Sequence, residues 1–192
     1  MVLSKLILSV NLFLVVLFTQ NNKTKYDIPW SEDVKLKWEN FKAKPPKYTY
    51  NESAVTSSGV SSSVSANDTI IQFTVKCLFN EKESWVIRKD TSVWLLNHEQ
   101  RHFDITEVYA RKFRKIILKY HFKNIKEVGN MFNKTYRDIN KEMNAEQKKY
   151  DRETDHSRNA DIQNEWNQQI DKQLKALEQY KETTIVIKLR KQ

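Results

Sequence analysis

The sequence predicts an α+β fold in which a small, mainly antiparallel sheet is followed by three helices, and three observations carry that prediction. Ile71, Phe73, Val75, Cys77 and Phe79 alternate with Gln72, Thr74 and Lys76, the period of a strand with one buried and one wet face. Downstream, three stretches space their apolar residues by three and four, as amphipathic helices do. Only two glycines and three prolines occur in 192 residues, too few for a turn-rich all-β barrel. A chain of this length, 39% hydrophobic and 11% aromatic, suffices for one domain with a modest core.

Met1 to Gln20 reads as a signal peptide: Lys5 supplies the positive charge, and Leu6 to Phe18 form an apolar run. That run is shorter than the ~20 residues a bilayer-spanning helix needs. Phe18-Thr19-Gln20-Asn21 lacks an Ala-x-Ala cleavage pattern, so an uncleaved anchor is the alternative and the only expected membrane contact. Residues 21–192 are expected to form a single secreted or periplasmic domain. Its one cysteine, Cys77, falls on the apolar strand face and reads as a core thiol. With no intramolecular disulfide available, an exported domain must be held by packing, with a metal as the candidate for further support.

The elements follow in order. Residues 21–52 are polar and irregular, anchored by Trp30 and Trp38, and Lys35-Leu36-Lys37-Trp38 alternates like a short strand. Ser53 to Ala66 carries β-branched and small residues and turns through Ala66-Asn67-Asp68 into the Ile71–Phe79 strand. Asn80 to Ser84 make a turn and Trp85-Val86-Ile87 a further strand. Asp90, Thr91 or Ser92 then caps a helix running to Tyr120. On this helix Trp94, Leu95, His98, His102, Ile105, Tyr109, Phe113, Ile116 and Tyr120 share one stripe, with Arg111, Arg114, Lys115 and Lys119 on the expected solvated face. A second helix, residues 124–147, places Val128, Phe132, Ile139 and Met143 toward the core and shows no chemistry of its own. A third, 159–180, does the same with Trp166, Ile170 and Leu174, and Thr183–Leu189 reads as a last strand or a frayed end. The net charge of +9 could attract nucleic acid, but no basic block is interleaved with aromatics and no nucleic-acid motif occurs. A solvated basic surface is the expectation, with no nucleic-acid partner.

Chemistry concentrates in His98-Glu99-x-x-His102. Residues four apart on a helix lie about 40° from each other around the axis, so both imidazoles face one way, the geometry of a two-histidine zinc clamp. Glu99, about 100° round from His98, lies beside such an ion, where a carboxylate can take a proton from water. Two histidines hold zinc weakly, and catalytic sites have three protein ligands. Glu107 lies about 180° from His98 and cannot reach the same ion. No extended metzincin pattern follows His102. The remaining candidates are His121, His156 and a carboxylate from a later helix. His156 is favoured, because Tyr150–Ser157 is a short polar segment between two amphipathic helices that a bundle would fold back onto the motif. Asp104 is placed either to accept from a ligand ring or to cap a surface interaction. Tyr150 or Tyr109 either donates to an oxyanion or packs.

Asn97-His98-Glu99-x-x-His102-Phe103-Asp104, Tyr150-Asp151-x-Glu153-Thr154-x-His156 and Gln163-x-x-Trp166, together with Trp38, Thr56-Ser57-Ser58-Gly59 and Ser84-Trp85, closely resemble a bacterial family of unknown function described as predicted secreted zinc-dependent proteases. The resemblance covers most of the chain after the signal. It implies a zincin-like active-site helix, zinc on His98, His102 and His156, and Glu99 as the catalytic base. Ser157 departs from it, standing where glycine is expected after the histidine. The reading is therefore a zinc metallopeptidase acting on a protein or peptide substrate, an envelope peptide among the candidates. The substrate strand would pair with Trp85–Ile87 or Ile71–Phe79. The alternative is a non-catalytic envelope protein whose zinc is structural or vestigial.

Overall fold

The computed structural model describes residues 16–20, 27–49, 52–67, 69–122 and 125–188. Most of the expected signal peptide, residues 1–15, lies outside the described residues. Six strands, β1 (Val16–Gln20), β2 (Asp27–Pro29), β3 (Ala54–Val55), β4 (Ser58–Ala66), β5 (Ile70–Asn80) and β6 (Trp85–Val86), precede α1 (Val93–Lys119), α2 (Ile125–Thr154) and α3 (Ala160–Ala176), and β7 (Thr184–Lys188) follows them. Every strand pair is antiparallel, so the predicted α+β arrangement holds, with β7 returning to the sheet after the helices.

The long strand β5 organises the main sheet. β4 pairs along one edge of it, from Ser58↔Phe79 to Ala66↔Ile71. Its other edge is shared by β2, at residues 78–80, and β7, at residues 70–74. β1 lies outside β4. Asn67 closes the β4–β5 hairpin, its Oδ1 accepting from the backbone amides of Thr69 and Ile70 at 3.0 and 2.8 Å. The alternating residues Val60, Val64, Ile71, Phe73, Val75, Cys77 and Phe79 are all buried against α1 and α2. Burial pushes the Cys77 thiol well up, as befits a core thiol.

No strand forms at Lys35–Trp38. The amide of Leu36 bonds the Gln100 side chain at 2.8 Å instead of a neighbouring strand, and Trp38–Asn40 is a short 3-10 turn. Ser92 caps α1 by accepting from the Leu95 amide at 3.0 Å. The predicted stripe on α1 holds from Leu95 to Phe113 but not at its ends: Ile116 and Tyr120 are exposed, and Ile117 takes the buried place.

The expected solvated face of α1 is the larger correction, since Arg111 and Arg114 are each 1% exposed. α1 packs against β4, β5, α2 and α3 at once, and the chain leaving α3 toward β7 crosses the face that periodicity assigned to water. Both guanidinium groups share buried Glu107, at 3.0 Å from Arg111 Nε and 2.9 Å from Arg114 Nη1, and Arg111 also meets Glu178 at 3.2 Å. Their remaining donors reach the carbonyls of Leu174, Val75 and Tyr180 at 2.8–3.0 Å. Removing one partner leaves uncompensated buried charge. Glu107→Ala is therefore expected to cost about 3–5 kcal/mol in urea unfolding, and an unchanged midpoint would show that the cluster is not holding the helix.

Candidate metal centre

His98 and His102 lie in the second and third turns of α1, one helical turn apart as their spacing predicts. They face the last turn of α2, where Asp151 meets both. One carboxylate oxygen, Asp151 Oδ1, lies 3.2 Å from His98 Nε2 and 2.8 Å from His102 Nε2, and the two Nε2 atoms are 3.2 Å apart. Ligands at ~2.1 Å around a tetrahedral ion would lie about 3.4 Å from one another. The three donor atoms thus form a triangle that could hold a metal ion.

Each ring is held by its other nitrogen. His98 Nδ1 lies 2.8 Å from Gln163 Oε1, and His102 Nδ1 lies 2.6 Å from Gln147 Oε1. The amide orientations follow from their outer partners. Gln163 Nε2 donates to Tyr150 Oη and to Asn167 Oδ1, and Gln147 Nε2 donates to the His102 carbonyl and to Thr106 Oγ1. Both glutamine oxygens are therefore acceptors, each Nδ1 carries a proton, and each Nε2 turns toward Asp151. Burial alone would lower the His102 imidazole, but the hydrogen bond and charge of Asp151, with the charge of Glu99, lift it to about 9. Burial would also raise Asp151, yet the two histidines hold its carboxyl well below the usual range.

Glu99 is 2% exposed, and its Oε2 has no hydrogen-bond partner among the described residues. It lines a cleft of about 250 Å³ together with His98, His102, Asp151 and His156. The opposite wall is residues 52–58. Thr56 Oγ1 donates to the Glu99 carbonyl at 3.1 Å, and Ser84 Oγ accepts from the Ser57 amide at 2.9 Å. The motif stretches Thr56–Gly59 and Ser84-Trp85 thus fix this wall.

His156 stands beside the cluster rather than within it. Its Nδ1 is 3.9 Å from Asp151 Oδ1, and it is not among the donors that all lie within 4.8 Å of one another. Asp155, His156 and Ser157 all take left-handed backbone, φ 48°, 51° and 74°. That conformation costs non-glycine residues of order 1 kcal/mol each, and it explains why glycine suits position 157. The turn is tied down by the His156 amide on the Asp151 carbonyl, 2.9 Å, and by Trp94 Nε1 on the Ser157 carbonyl, 2.6 Å.

The family model for a bacterial protein of unknown function (DUF922) matches residues 24–157. The chain belongs to the DUF922 family. No curated protein and no solved structure matches it. The matched span holds every cleft residue of this DUF922 chain named above, while Gln163 and Trp166 lie beyond it.

Other sequence expectations resolve as follows in the DUF922 fold. α2, expected to serve only the core, extends through Thr154 and brings Gln147 and Asp151 to the histidines, so it contributes to the cluster that could hold an ion. The sequence reading allowed a carboxylate from a later helix but did not single out Asp151. Its place one helical turn after Gln147, in the resembling Tyr150-Asp151 pair, was the available signal. His121 is exposed and lines no part of the cleft. Asp104 accepts from Trp30 Nε1 at 2.8 Å and Gln100 Nε2 at 2.9 Å, so it ties the amino-terminal segment to α1 and touches no ligand ring. Tyr150 packs: its ring stacks on His98 at 4.5 Å and meets His102 edge-on at 4.9 Å. Truncating Gln163 or Gln147 to Ala should weaken divalent-ion affinity about 10–100-fold, read by competition with a chromogenic chelator. Unchanged affinity would show that neither amide positions a ligand.

Proposed function

We propose that this chain is a zinc-dependent metallopeptidase, exported by its amino-terminal signal to a secreted or periplasmic location. The observation that carries the reading is the unpartnered Glu99 oxygen, buried in a cleft beside a two-histidine, one-carboxylate cluster. A buried carboxylate oxygen without a partner among the described residues is costly, and such an exception calls for a functional explanation. The same donor set also serves non-haem iron, but a free carboxylate next to the histidines favours hydrolysis over oxygen chemistry.

His98, His102 and Asp151 would hold the ion, with Gln163 and Gln147 fixing the two rings. Bound there, zinc supplies polarisation of an amide carbonyl and acidifies the attacking water. Glu99 accepts the proton as water oxygen bonds to the carbonyl carbon. It then delivers that proton to the leaving nitrogen as the C–N bond breaks, so the carboxylate is regenerated. His156, at the rim, donates to the carbonyl oxygen.

The peptide lies along the outer edge of β3. The strands that sequence favoured cannot take it: β5 is paired on both edges, and Trp85 is paired with Val55 on one side and bridged to Ala43 on the other. β3 pairs only with β6 among the described residues, and its neighbours line the cleft, which leaves an edge for strand addition. Signal cleavage near Gln20 would remove β1, which pairs only with β4 and leaves the β4–β5 register intact.

A second reading, a closed structural zinc site, draws on His156 as a fourth donor next to the cluster. Glu99 separates the two. Glu99→Gln should keep zinc and lose hydrolysis of a peptide library by about 10²–10⁴-fold, whereas retained hydrolysis would remove the assigned base. A wild-type protein that binds zinc and cleaves nothing would favour the structural site.

A further inference from the structure

Lys148 and Arg152 bracket Asp151 on α2 and, four residues apart, share one face of the helix. Both line a second recess, of about 420 Å³, that shares Glu52, Asp151 and His156 with the cleft. The recess therefore starts at the cluster and leads away along the end of α2.

The cations around it are otherwise engaged. Arg158 holds Asp155 through two hydrogen bonds of 3.0 and 2.9 Å, which neutralises one acid of the recess. Arg101 is tied to Asp104 and Asp171, and Lys149 lies over the Trp166 ring at 5.2 Å. Lys148 and Arg152 are exposed, and among the described residues neither meets a carboxylate at salt-bridge distance. The recess's other acids are Asp151, which meets the two histidines, and Glu52 on the facing wall.

We propose that this recess receives a substrate carboxylate, so that the preferred substrate is an anionic peptide with its negative charge one or two residues from the scissile bond. The inference rests on the metallopeptidase reading and adds its substrate class. The spacing follows from the chain: Arg152 adjoins the ligand Asp151, and an extended peptide advances about 3.3 Å per residue. Arg152 provides the planar fork that pairs with a carboxylate, and Lys148 a mobile point charge beside it. An acidic side chain and a free C-terminal carboxylate offer the same chemistry.

The test uses binding, with turnover blocked. Zinc-loaded Glu99→Gln protein is titrated by calorimetry with three matched pentapeptides: a neutral C-terminal amide, the same amide carrying Glu for Gln, and the neutral sequence as a free acid. One carboxylate form should bind roughly fivefold tighter than the neutral amide, the Glu peptide if the source is a side chain and the free acid if it is the terminus. Adding Lys148→Glu and Arg152→Glu should abolish that preference with zinc content and Tm unchanged. Equal affinity for all three peptides, or a preference that survives the double substitution, overturns the proposal. Failure of the underlying reading shows separately: a carboxylate preference in a protein whose wild type cleaves nothing keeps the recess and removes the peptidase.

Discussion

Two imidazoles of α1 converge on one oxygen of Asp151, and that convergence constrains much of the fold. α1 must lie at the centre of the domain for its histidines to face inward, so sheet and helices cover it from several sides. α2 must run to Thr154 to carry Asp151 and Gln147 alongside α1. α3 must then fold back to bring Gln163 onto His98. Two buried clusters result on one helix, each with opposite charges matched. One is Asp151 with the histidines, and the other is Glu107 with Arg111 and Arg114. The second is closed by protein, since Glu178 and three backbone carbonyls take the guanidinium donors that Glu107 leaves. The first leaves Glu99 Oε2 without a hydrogen-bond partner among the described residues, an exception that calls for an explanation.

The turn after α2 shows where the fold accepts strain. Three successive residues in left-handed backbone are costly, and they survive because Trp94, Asp151 and Arg158 pin the turn from three directions. The result is that His156 is carried on a reversed segment at the mouth of the cleft instead of on the helix beside Asp151. Its position then depends on the turn, while those of His98, His102 and Asp151 depend on two long helices. The proposed division of roles matches that difference, with the ligands on the stiffer support and the group proposed to meet substrate on the looser one.

Much of this was legible in the sequence, for identifiable reasons. Period-two alternation located β5, because one face of it is buried and the other wet. The i, i+4 histidines located the side of α1 that faces Asp151. What periodicity could not supply was the covering of α1 on further sides, since Arg111 and Arg114 read as solvated until the chain beyond α3 is seen to cross them. The same limit hid Asp151. A polar residue following a run of charged ones looks like a loop, and only the extension of α2 by two turns reveals it as a helical donor aimed at the histidines. Gln147 and Gln163 were harder still, because their role lies in a ring nitrogen that no spacing rule reports. The Leu36 amide taken by Gln100 likewise turned an apparent strand into irregular chain, through a contact between residues far apart in sequence.

The central claim is that Asp151, with His98 and His102, holds the ion, while His156 serves at the rim. Zinc content of the purified protein, measured by elemental analysis for wild type, His98→Ala, Asp151→Ala and His156→Ala, tests it most directly. The account predicts about one zinc per chain in wild type and in His156→Ala, and loss of zinc in His98→Ala and Asp151→Ala. Zinc retained by Asp151→Ala and lost from His156→Ala would contradict it and make His156 the third ligand.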